Sequence, residues 1–119
     1  MTHRVQVRRI YDDPLPDDGA RILVDRLWPR GISKSRALLD EWCKQVAPSA
    51  ELRTWYHHDP DLFDEFSRRY LAELADAEPA AALSHLTELA AQGPVTLLTA
   101  TKRPEISEAA VLAGILMRP

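Results

Sequence analysis

Alternating and continuous apolar residues predict three β-strands along the chain. Val5 and Val7 alternate with polar residues, which is typical of a strand with one buried face. Residues 22–24 form a continuous apolar run that predicts a strand buried on both faces. Residues 95–100 are mostly apolar and follow a Gly-Pro pair, so they predict a third strand.

Capping residues and helical spacing predict helices between and after these strands. Ser49 is suited to capping a helix over residues 50–56, and the Asp59-Pro60 pair is typical of a second helix start. The apolar residues that follow this pair keep helical spacing for four turns: Phe63, Phe66, Tyr70 and Leu74. Pro79 predicts the start of a third helix and Pro104 the start of the last one.

Residues 38–46 leave two interpretations open. Their apolar positions fit a helical stripe, but alternate residues from Asp40 to Val46 would also share one face of a strand. In both cases the order of elements predicts one small α/β domain over residues 1–119. Its sheet is expected to be largely parallel, with about 3–5 strands covered by helices.

The charge of the chain argues against a general nucleic-acid binder. Its 119 residues include 15 basic and 18 acidic side chains, and the net charge is −3. The first 60 residues hold ten basic and nine acidic groups, and the rest hold five and nine, so basic character concentrates in the first half. Arginine outnumbers lysine twelve to three, which supplies many rigid groups that bind anions at two points.

Cysteine, histidine and hydropathy patterns limit the chemistry further. Cys43 is the single cysteine, so no internal disulfide can form, and we expect it to be a small buried hydrophobic residue. The four histidines lack metal-ligand spacing, and we expect neither a metal nor a cofactor. No apolar stretch approaches a membrane span and no signal sequence is visible, so a cytoplasmic location is expected. The oligomeric state stays open.

Polar and aromatic residues concentrate in short segments that follow predicted strands. Residues 25–31 follow the buried strand and Lys102 follows the last one, so a parallel sheet would bring both to the same edge. A further segment extends from residue 42 to residue 58. The candidate catalytic residues are Asp25 and His58, and the candidate ligand-binding residues are Arg26, Trp28, Arg30, Trp42, Lys44, Arg53 and Lys102.

Five motifs in the chain resemble those of a known family. They read Arg-x-Tyr-Asp, Leu-Val-Asp-Arg-Leu-Trp-Pro-Arg-Gly, Asp-Glu-Trp, Ala-Pro-Ser-x-x-Leu-Arg-x-Trp and Tyr-Leu-x-Glu-Leu. From about residue 5 to residue 116, the chain is similar to the YeaO-like family, a domain of unknown function (DUF488). The resemblance implies a compact α/β domain in the cytoplasm and no settled activity.

One segment departs from the pattern of that family. Relatives usually have Lys-Asp after the last strand and Asn-His-Ala one turn later. Lys102 and Ala109 match this pattern, whereas Arg103, Ser107 and Glu108 do not. If those positions do chemistry in relatives, this chain has an altered or lost activity.

Three functions are compatible with these residues. The first is binding of an anionic small molecule, such as a nucleotide or a phosphorylated metabolite, by the arginines and Lys102, with Trp28 stacking on a planar group. Asp25 or His58 would be its acid–base group. The second is a non-enzymatic module that binds nucleic acid or a protein through the same surface. The third is an enzyme of unknown reaction with Asp25 as general base. We favour the first because the net charge is negative.

These residues also have structural interpretations. Tryptophans are often packing residues, and an ion pair with an arginine can anchor a loop. We expect Trp42 and Leu52 to be buried, and Asp25 to lie within hydrogen-bonding distance of an arginine, because a carboxylate at the end of an apolar strand is costly unless paired. Arg30 lies on a Pro-Arg-Gly turn, in which Gly31 is expected to allow a close approach or a positive φ. Arg30 is expected either to contact the ligand or to bridge to Asp25 or Asp40.

Overall fold

The computed structural model describes residues 3–117, which form a four-stranded sheet with helices around it. The strands are β1 (Val5–Arg9), β2 (Ala20–Leu23), β3 (Glu41–Trp42) and β4 (Val95–Thr99). They lie in the order β1-β4-β2-β3, and each neighbouring pair is parallel. The carboxyl ends of the strands therefore meet at one edge of the sheet. This arrangement confirms the predicted α/β fold.

Helices and short turns connect the strands. The helices are α1 (Lys34–Ala37), α2 (Ala50–Tyr56), α3 (Phe63–Glu73), α4 (Ala77–Gln92) and α5 (Glu108–Leu116). Turns of 3-10 helix lie at Lys44–Val46, Pro60–Leu62 and Pro104–Ile106. Within residues 3–117, no helix is long and apolar enough to cross a membrane.

Capping residues set the helix starts, with three differences from the sequence prediction. Asp59 and Pro60 begin a 3-10 turn, and α3 itself begins only at Phe63. The Ser49 hydroxyl caps α2 as predicted. The prediction that the last helix begins at Pro104 was wrong, because this proline begins a 3-10 turn and α5 starts only at Glu108, capped by Ser107. α4 begins at Ala77, ahead of Pro79, since a proline is tolerated anywhere in the first turn of a helix.

Residues 38–46 contain parts of both interpretations. α1 ends at Leu38, which has a left-handed φ of 49°. β3 then contributes only two residues, which lie beside Ile22 and Leu23 of β2. A 3-10 turn follows up to Val46. Neither a full helix nor a full strand forms here.

The larger core lies between one face of the sheet and helices α2 to α5. Ile22 of β2 and Leu97 of β4 point into it. Three aromatic residues of α2 and α3 stack there: the ring centroids of Tyr56 and Phe66 are 4.1 Å apart, and those of Phe66 and Tyr70 are 5.7 Å apart. The predicted helical spacing along α3 is thereby confirmed, because Phe66 and Tyr70 are both buried.

The opposite face of the sheet is divided into an apolar half and a polar half. Toward the carboxyl ends of the strands, Leu23 and Leu98 pack with Ile10 and Ile32. Toward the amino ends, the corresponding positions are polar and include Thr96, whose hydroxyl donates to the backbone carbonyl of residue 18. Buried polar side chains and buried apolar side chains therefore occupy different halves of this face.

A buried ionic network centred on Asp18 fills the polar half. The Asp18 carboxylate, 2% exposed, accepts hydrogen bonds from Arg21 (2.6 Å), Arg8 (3.1 Å) and Gln6 (3.2 Å), and from the Leu15 backbone N–H (2.9 Å). Burial opposes its ionisation, but the Leu15 N–H and the two guanidinium groups hold the pKa of Asp18 below its ordinary value. The Arg21 guanidinium also donates to two carbonyl groups at the end of α1 (2.8 and 3.0 Å).

Candidate functional site

A cleft of about 560 Å³ opens at the carboxyl ends of β2 and β4. Its walls are the loop over residues 25–30 after β2, the end of α2 with the histidines that follow, residues 99–101 at the end of β4, and Glu108 at the start of α5. This volume lies within the range of about 300–1,000 Å³ typical of small-molecule sites.

The cleft lies where the chain leaves two neighbouring strands in opposite directions. From β2 the chain passes to β3 on one side, and from β4 it passes to α5, which packs against β1 on the other side. Open parallel sheets bind ligands where strand connections diverge in this way. The position of the cleft therefore follows from the strand order.

The structure brings most of the candidate residues together, but not all of them. The six that line the cleft are Asp25, Arg26, Trp28, Arg30, Arg53 and His58. Trp42, Lys44 and Lys102 lie outside it. Lys102 is exposed on the segment after β4, and the Lys44 Nζ lies 5.0 Å from the centroid of the Trp42 ring.

Asp25 is held by the end of β4 and not by an arginine. Its Oδ1 accepts a hydrogen bond from the Thr99 hydroxyl (2.8 Å), and its Oδ2 accepts one from the Ala100 backbone N–H (2.8 Å). Within residues 3–117 no arginine lies within hydrogen-bonding distance of this carboxylate, so the predicted Asp25–arginine pair was wrong. The Thr99 hydroxyl and the Ala100 N–H supply the hydrogen bonds that a partly buried carboxylate requires.

The cleft arginines differ in whether their guanidinium groups form hydrogen bonds within the protein. Arg26 donates to the Pro48 carbonyl (3.1 Å) and the Ala47 carbonyl (3.4 Å), which ties the loop to the chain before α2. The guanidinium groups of Arg30 and Arg53 are exposed and have no hydrogen-bond or ion-pair partner in the described part of the chain. Two arginines therefore remain available to a ligand.

The turn that carries Arg30 is defined by its neighbours. Gly31 has a φ of 78°, as the Pro-Arg-Gly sequence predicted. The Tyr11 hydroxyl donates to the Arg30 backbone carbonyl (2.6 Å) and so binds β1's end to this turn. No bridge from Arg30 to Asp25 or Asp40 forms among the described residues. The backbone is fixed while the charged end of the side chain is free.

A second carboxyl group, Glu108, lies beside Asp25 in the cleft. It occupies the first position of α5 and is half-buried. Burial, and then the neighbouring Asp25 carboxyl, raise the pKa of Glu108 well above its ordinary value. The pair therefore holds a proton when an isolated glutamate would have lost it. The sequence signal for this residue was its departure from the family pattern, which did not reveal its position next to Asp25.

Two consecutive histidines with left-handed backbone form one wall of the cleft. His57, which ends α2, has a φ of 48°, and His58 has a φ of 54°. Residues other than glycine rarely adopt this region, and such strain clusters at functional sites. Burial, together with the neighbouring His57 and Arg53, lowers the pKa of His58 against the opposing effect of Asp25. A neutral imidazole is therefore favoured near pH 7.

Two aromatic side chains that line the cleft, Trp28 and Tyr56, have polar atoms that already donate hydrogen bonds to backbone carbonyls. The Trp28 indole N–H donates to the Ile32 carbonyl (2.9 Å), and the Tyr56 hydroxyl donates to the Ile106 carbonyl (2.7 Å). Burial raises the pKa of Tyr56 to about 12, so this hydroxyl stays protonated. Only the ring surfaces of these residues face a ligand.

The structural expectations for Trp42 and Leu52 have different outcomes. Leu52 is buried at 6% exposure, which confirms the prediction. Trp42 is only partly buried: it packs edge-on against Trp28 with ring centroids 5.5 Å apart, and its indole N–H donates to the Asp25 carbonyl (2.7 Å). Trp42 therefore supports the loop that carries Asp25 from outside the cleft.

Metal chemistry and thiol chemistry have little support in the described structure. Residues 3–117 contain no group of three or more histidine, cysteine, aspartate or glutamate side chains that could hold a metal ion. Cys43 is buried in the larger core, as expected, and burial raises the pKa of its thiol to about 11. A thiol in this environment is a poor nucleophile.

Comparisons with known proteins agree on one family. The family described as "Inactive DUF488-N3 subclade" matches residues 4–119. An uncharacterised protein of Mycobacterium bovis is 54% identical over 113 residues, covering 95% of this chain and 93% of the relative. The uncharacterised protein YeaO of Escherichia coli is 45% identical over 112 residues, covering 94% of this chain and 96% of YeaO. No solved structure matches the chain. The chain therefore belongs to the YeaO-like DUF488 family, in the group described as its inactive N3 subclade.

Proposed function

We propose that this protein binds a small anionic molecule, such as a nucleotide or a phosphorylated metabolite, in the cleft at the carboxyl ends of β2 and β4. One observation carries the proposal: Arg30 and Arg53 both line this cleft and have no partner among residues 3–117. A guanidinium group without a partner inside a cleft can bind a phosphate or a carboxylate at two points.

The charge balance of the cleft supports an anionic ligand. Three guanidinium groups and two carboxyl groups line it, and the pKa of one of these carboxyl groups, Glu108, is raised by burial and by the neighbouring Asp25. The guanidinium groups outnumber the carboxyl groups, so the cleft is positive in a chain whose net charge is −3. A local field of this kind attracts anions to the cleft and away from the rest of the surface.

Binding without catalysis is the simplest role for this cleft. Asp25 and His58 are its acid–base candidates, but both oxygens of Asp25 already accept hydrogen bonds from β4. The family description names the subclade as inactive. At the positions after the last strand, Arg103, Ser107 and Glu108 depart from the usual family residues.

The proposal is tested by calorimetric titration and thermal melting with ribose 5-phosphate, adenosine 5′-monophosphate and pyrophosphate. We expect wild type to bind at least one of them, and a ligand at a hundred times its dissociation constant to stabilise the fold by about 2.7 kcal/mol. Arg30→Ala and Arg53→Ala should each weaken binding by about tenfold or more, because each removes a charge-assisted contact. Arg36→Ala, an exposed arginine of α1 outside the cleft, is the matched control.

Two results would contradict the proposal. One is that none of these anions binds wild type. The other is that the protein binds a single-stranded oligonucleotide, with an affinity that falls about one log unit per phosphate contact for each tenfold rise in salt, and binds the small anions no better than the Arg30→Ala variant does. The second result would favour a nucleic-acid-binding accessory module.

A further inference from the structure

We propose, on the basis of the proposed function, that Asp25 and Glu108 make the cleft selective for a phosphorylated sugar over a bare anion. The two carboxyl groups would bind sugar hydroxyl groups while Arg30 and Arg53 bind the phosphate. The sugar can be free or part of a nucleotide, since both present the same hydroxyl and phosphate groups.

The presence of two carboxyl groups in an arginine-lined cleft calls for an explanation. An ionised Asp25 repels a bare phosphate, and a site that served only for phosphate would be stronger without it. A ligand that brings hydrogen-bond donors as well as negative charge turns this repulsion into attraction, because hydroxyl groups donate well to carboxylates. Sugar hydroxyl groups are donors of this kind, and they lie close to phosphate in a phosphorylated sugar.

The geometry of Asp25 suits such a subsite. Its hydrogen bonds to Thr99 and Ala100 occupy one acceptor position on each oxygen and hold the carboxylate in one orientation. Each carboxylate oxygen has about two acceptor positions, so after the hydrogen bond between Asp25 and Glu108 an acceptor position is still left for a ligand. The carboxylate is thus oriented in advance, which reduces the entropy lost on binding.

Glu108 complements Asp25 as a group that can both donate and accept. Its carboxyl forms a hydrogen bond with the Asp25 carboxyl, and the raised pKa of Glu108 makes Glu108 the donor in that bond. The cap from Ser107 fixes the start of α5 and so sets where this side chain enters the cleft. Two neighbouring carboxyl groups offer several acceptors in one place, and the proton on Glu108 can be turned toward either Asp25 or a ligand, which matches a pair of neighbouring hydroxyl groups.

The size of the cleft is in line with a ligand larger than phosphate. Its volume of about 560 Å³ far exceeds what one inorganic anion fills. The Trp28 and Tyr56 ring surfaces provide apolar contact area, since their polar atoms already bond to backbone carbonyls. A sugar ring, with or without an attached base, would use this area.

The test compares matched ligands on wild-type protein by calorimetric titration. Ribose 5-phosphate is compared with 2-deoxyribose 5-phosphate and inorganic phosphate, and adenosine 5′-monophosphate with its 2′-deoxy form. We expect each ribose compound to bind about tenfold tighter than its deoxy partner, because a hydrogen bond to a charged group is lost. If the ribose form is preferred over the deoxy form by the same factor in both pairs, the sugar phosphate alone is recognised. If adenosine 5′-monophosphate binds much more tightly than ribose 5-phosphate, the base contributes as well.

Variants of Glu108 separate its role from a structural one. Glu108→Ala should bind ribose 5-phosphate and its deoxy form equally, with inorganic phosphate binding no weaker than in wild type. Glu108→Gln should keep the preference, because the amide can both donate and accept in the same place. Glu105→Gln, on the exposed 3-10 turn before α5, is the matched control and should behave as wild type does.

The outcomes distinguish this inference from the function on which it rests. If the phosphorylated ligands bind through Arg30 but the hydroxyl groups make no difference in wild type, the selectivity is refuted and anion binding stands. If nothing binds, both fail. The ligand comparison on wild type decides the question even if Glu108→Ala does not fold.

Discussion

At the amino end of the sheet, Asp18 and Arg21 are buried and every charged atom has a partner, whereas at the carboxyl end Arg30 and Arg53 are exposed and have none among residues 3–117. Both ends of the same sheet carry arginine and acidic side chains. At one end the charges were desolvated during folding, and at the other they still face water. Partnered charges hold the fold together, and unpartnered ones are available to a ligand.

The acidic residues show the same difference. Asp18 accepts hydrogen bonds from four residues, and its pKa is lowered against the effect of burial. Glu108 lies beside another carboxyl, and burial and that neighbour raise its pKa. A buried carboxylate whose acceptor positions are filled by donors of the protein supports the fold. A carboxyl group with acceptor positions left over can accept hydrogen bonds from a ligand.

Removing a partner at the amino end should have the largest effect on stability. Arg21→Ala leaves the Asp18 carboxylate buried and undercompensated, so we expect a loss of about 3–5 kcal/mol in urea denaturation. Arg4→Ala is the matched control, because Arg4 pairs with Asp17 in the same loop but both side chains are exposed, and it should cost about 0–1 kcal/mol. Similar losses in the two variants would show that the buried network is no more important than a surface pair.

Asp18 and Glu108 should make the unfolding free energy depend on pH in opposite directions. The lowered pKa of Asp18 contributes stability above the ordinary value of 3.8, and this is lost as pH falls through the folded-state pKa. The raised pKa of Glu108 acts the other way: between its ordinary value of 4.5 and the folded-state pKa, the unfolded chain releases the proton first, so stability falls as pH rises.

Glu108→Gln isolates the second dependence. Relative to wild type, this variant should be more stable at pH 7 than at pH 4, measured by urea denaturation at both values. Glu105→Gln serves as the control and should show no such difference. If the effect of Glu108→Gln is the same at pH 4 and pH 7, the carboxyl pair is not coupled to folding.

Cys43, in the core away from both charged ends, should act through packing alone. Cys43→Ala and Cys43→Ser should lower the unfolding free energy by about 1–2 kcal/mol and leave the binding of ribose 5-phosphate unchanged. Since the pKa of the thiol is about 11, the native protein should react slowly with a thiol reagent at pH 8, while the urea-unfolded chain reacts quickly. A fast reaction of the native thiol would overturn this assignment.

Arg30 at the carboxyl end should have the smallest effect on stability. Its side chain is exposed and unpartnered, so we expect Arg30→Ala to change the unfolding free energy by no more than about 0.5 kcal/mol while it weakens ligand binding. Arg30→Lys should keep the melting temperature and lose two-point recognition of phosphate. A loss of stability close to that of Arg21→Ala would make Arg30 a structural residue and remove the contrast between the two ends.

Some features of the candidate site could be predicted from local sequence. Asp25 comes directly after a buried strand, and the Pro-Arg-Gly turn predicted the positive φ of Gly31. The partners of Asp25 could not be predicted, because Thr99 lies 74 residues away and becomes its neighbour only when β4 inserts between β1 and β2. Lys102 was also expected in the cleft, but it is exposed on the segment after β4 and does not line the cleft.

The sequence by itself determined where most strands and helices form, because alternation, helical spacing and caps act over a few residues. Ser49, the 22–24 run and the spacing of Phe66 and Tyr70 are examples of such local signals. Tertiary structure alone decided which charges are satisfied. The parallel strand order buries Asp18 among donors and brings Glu108 beside Asp25, since a hydrogen-bond partner is a matter of spatial and not sequential distance.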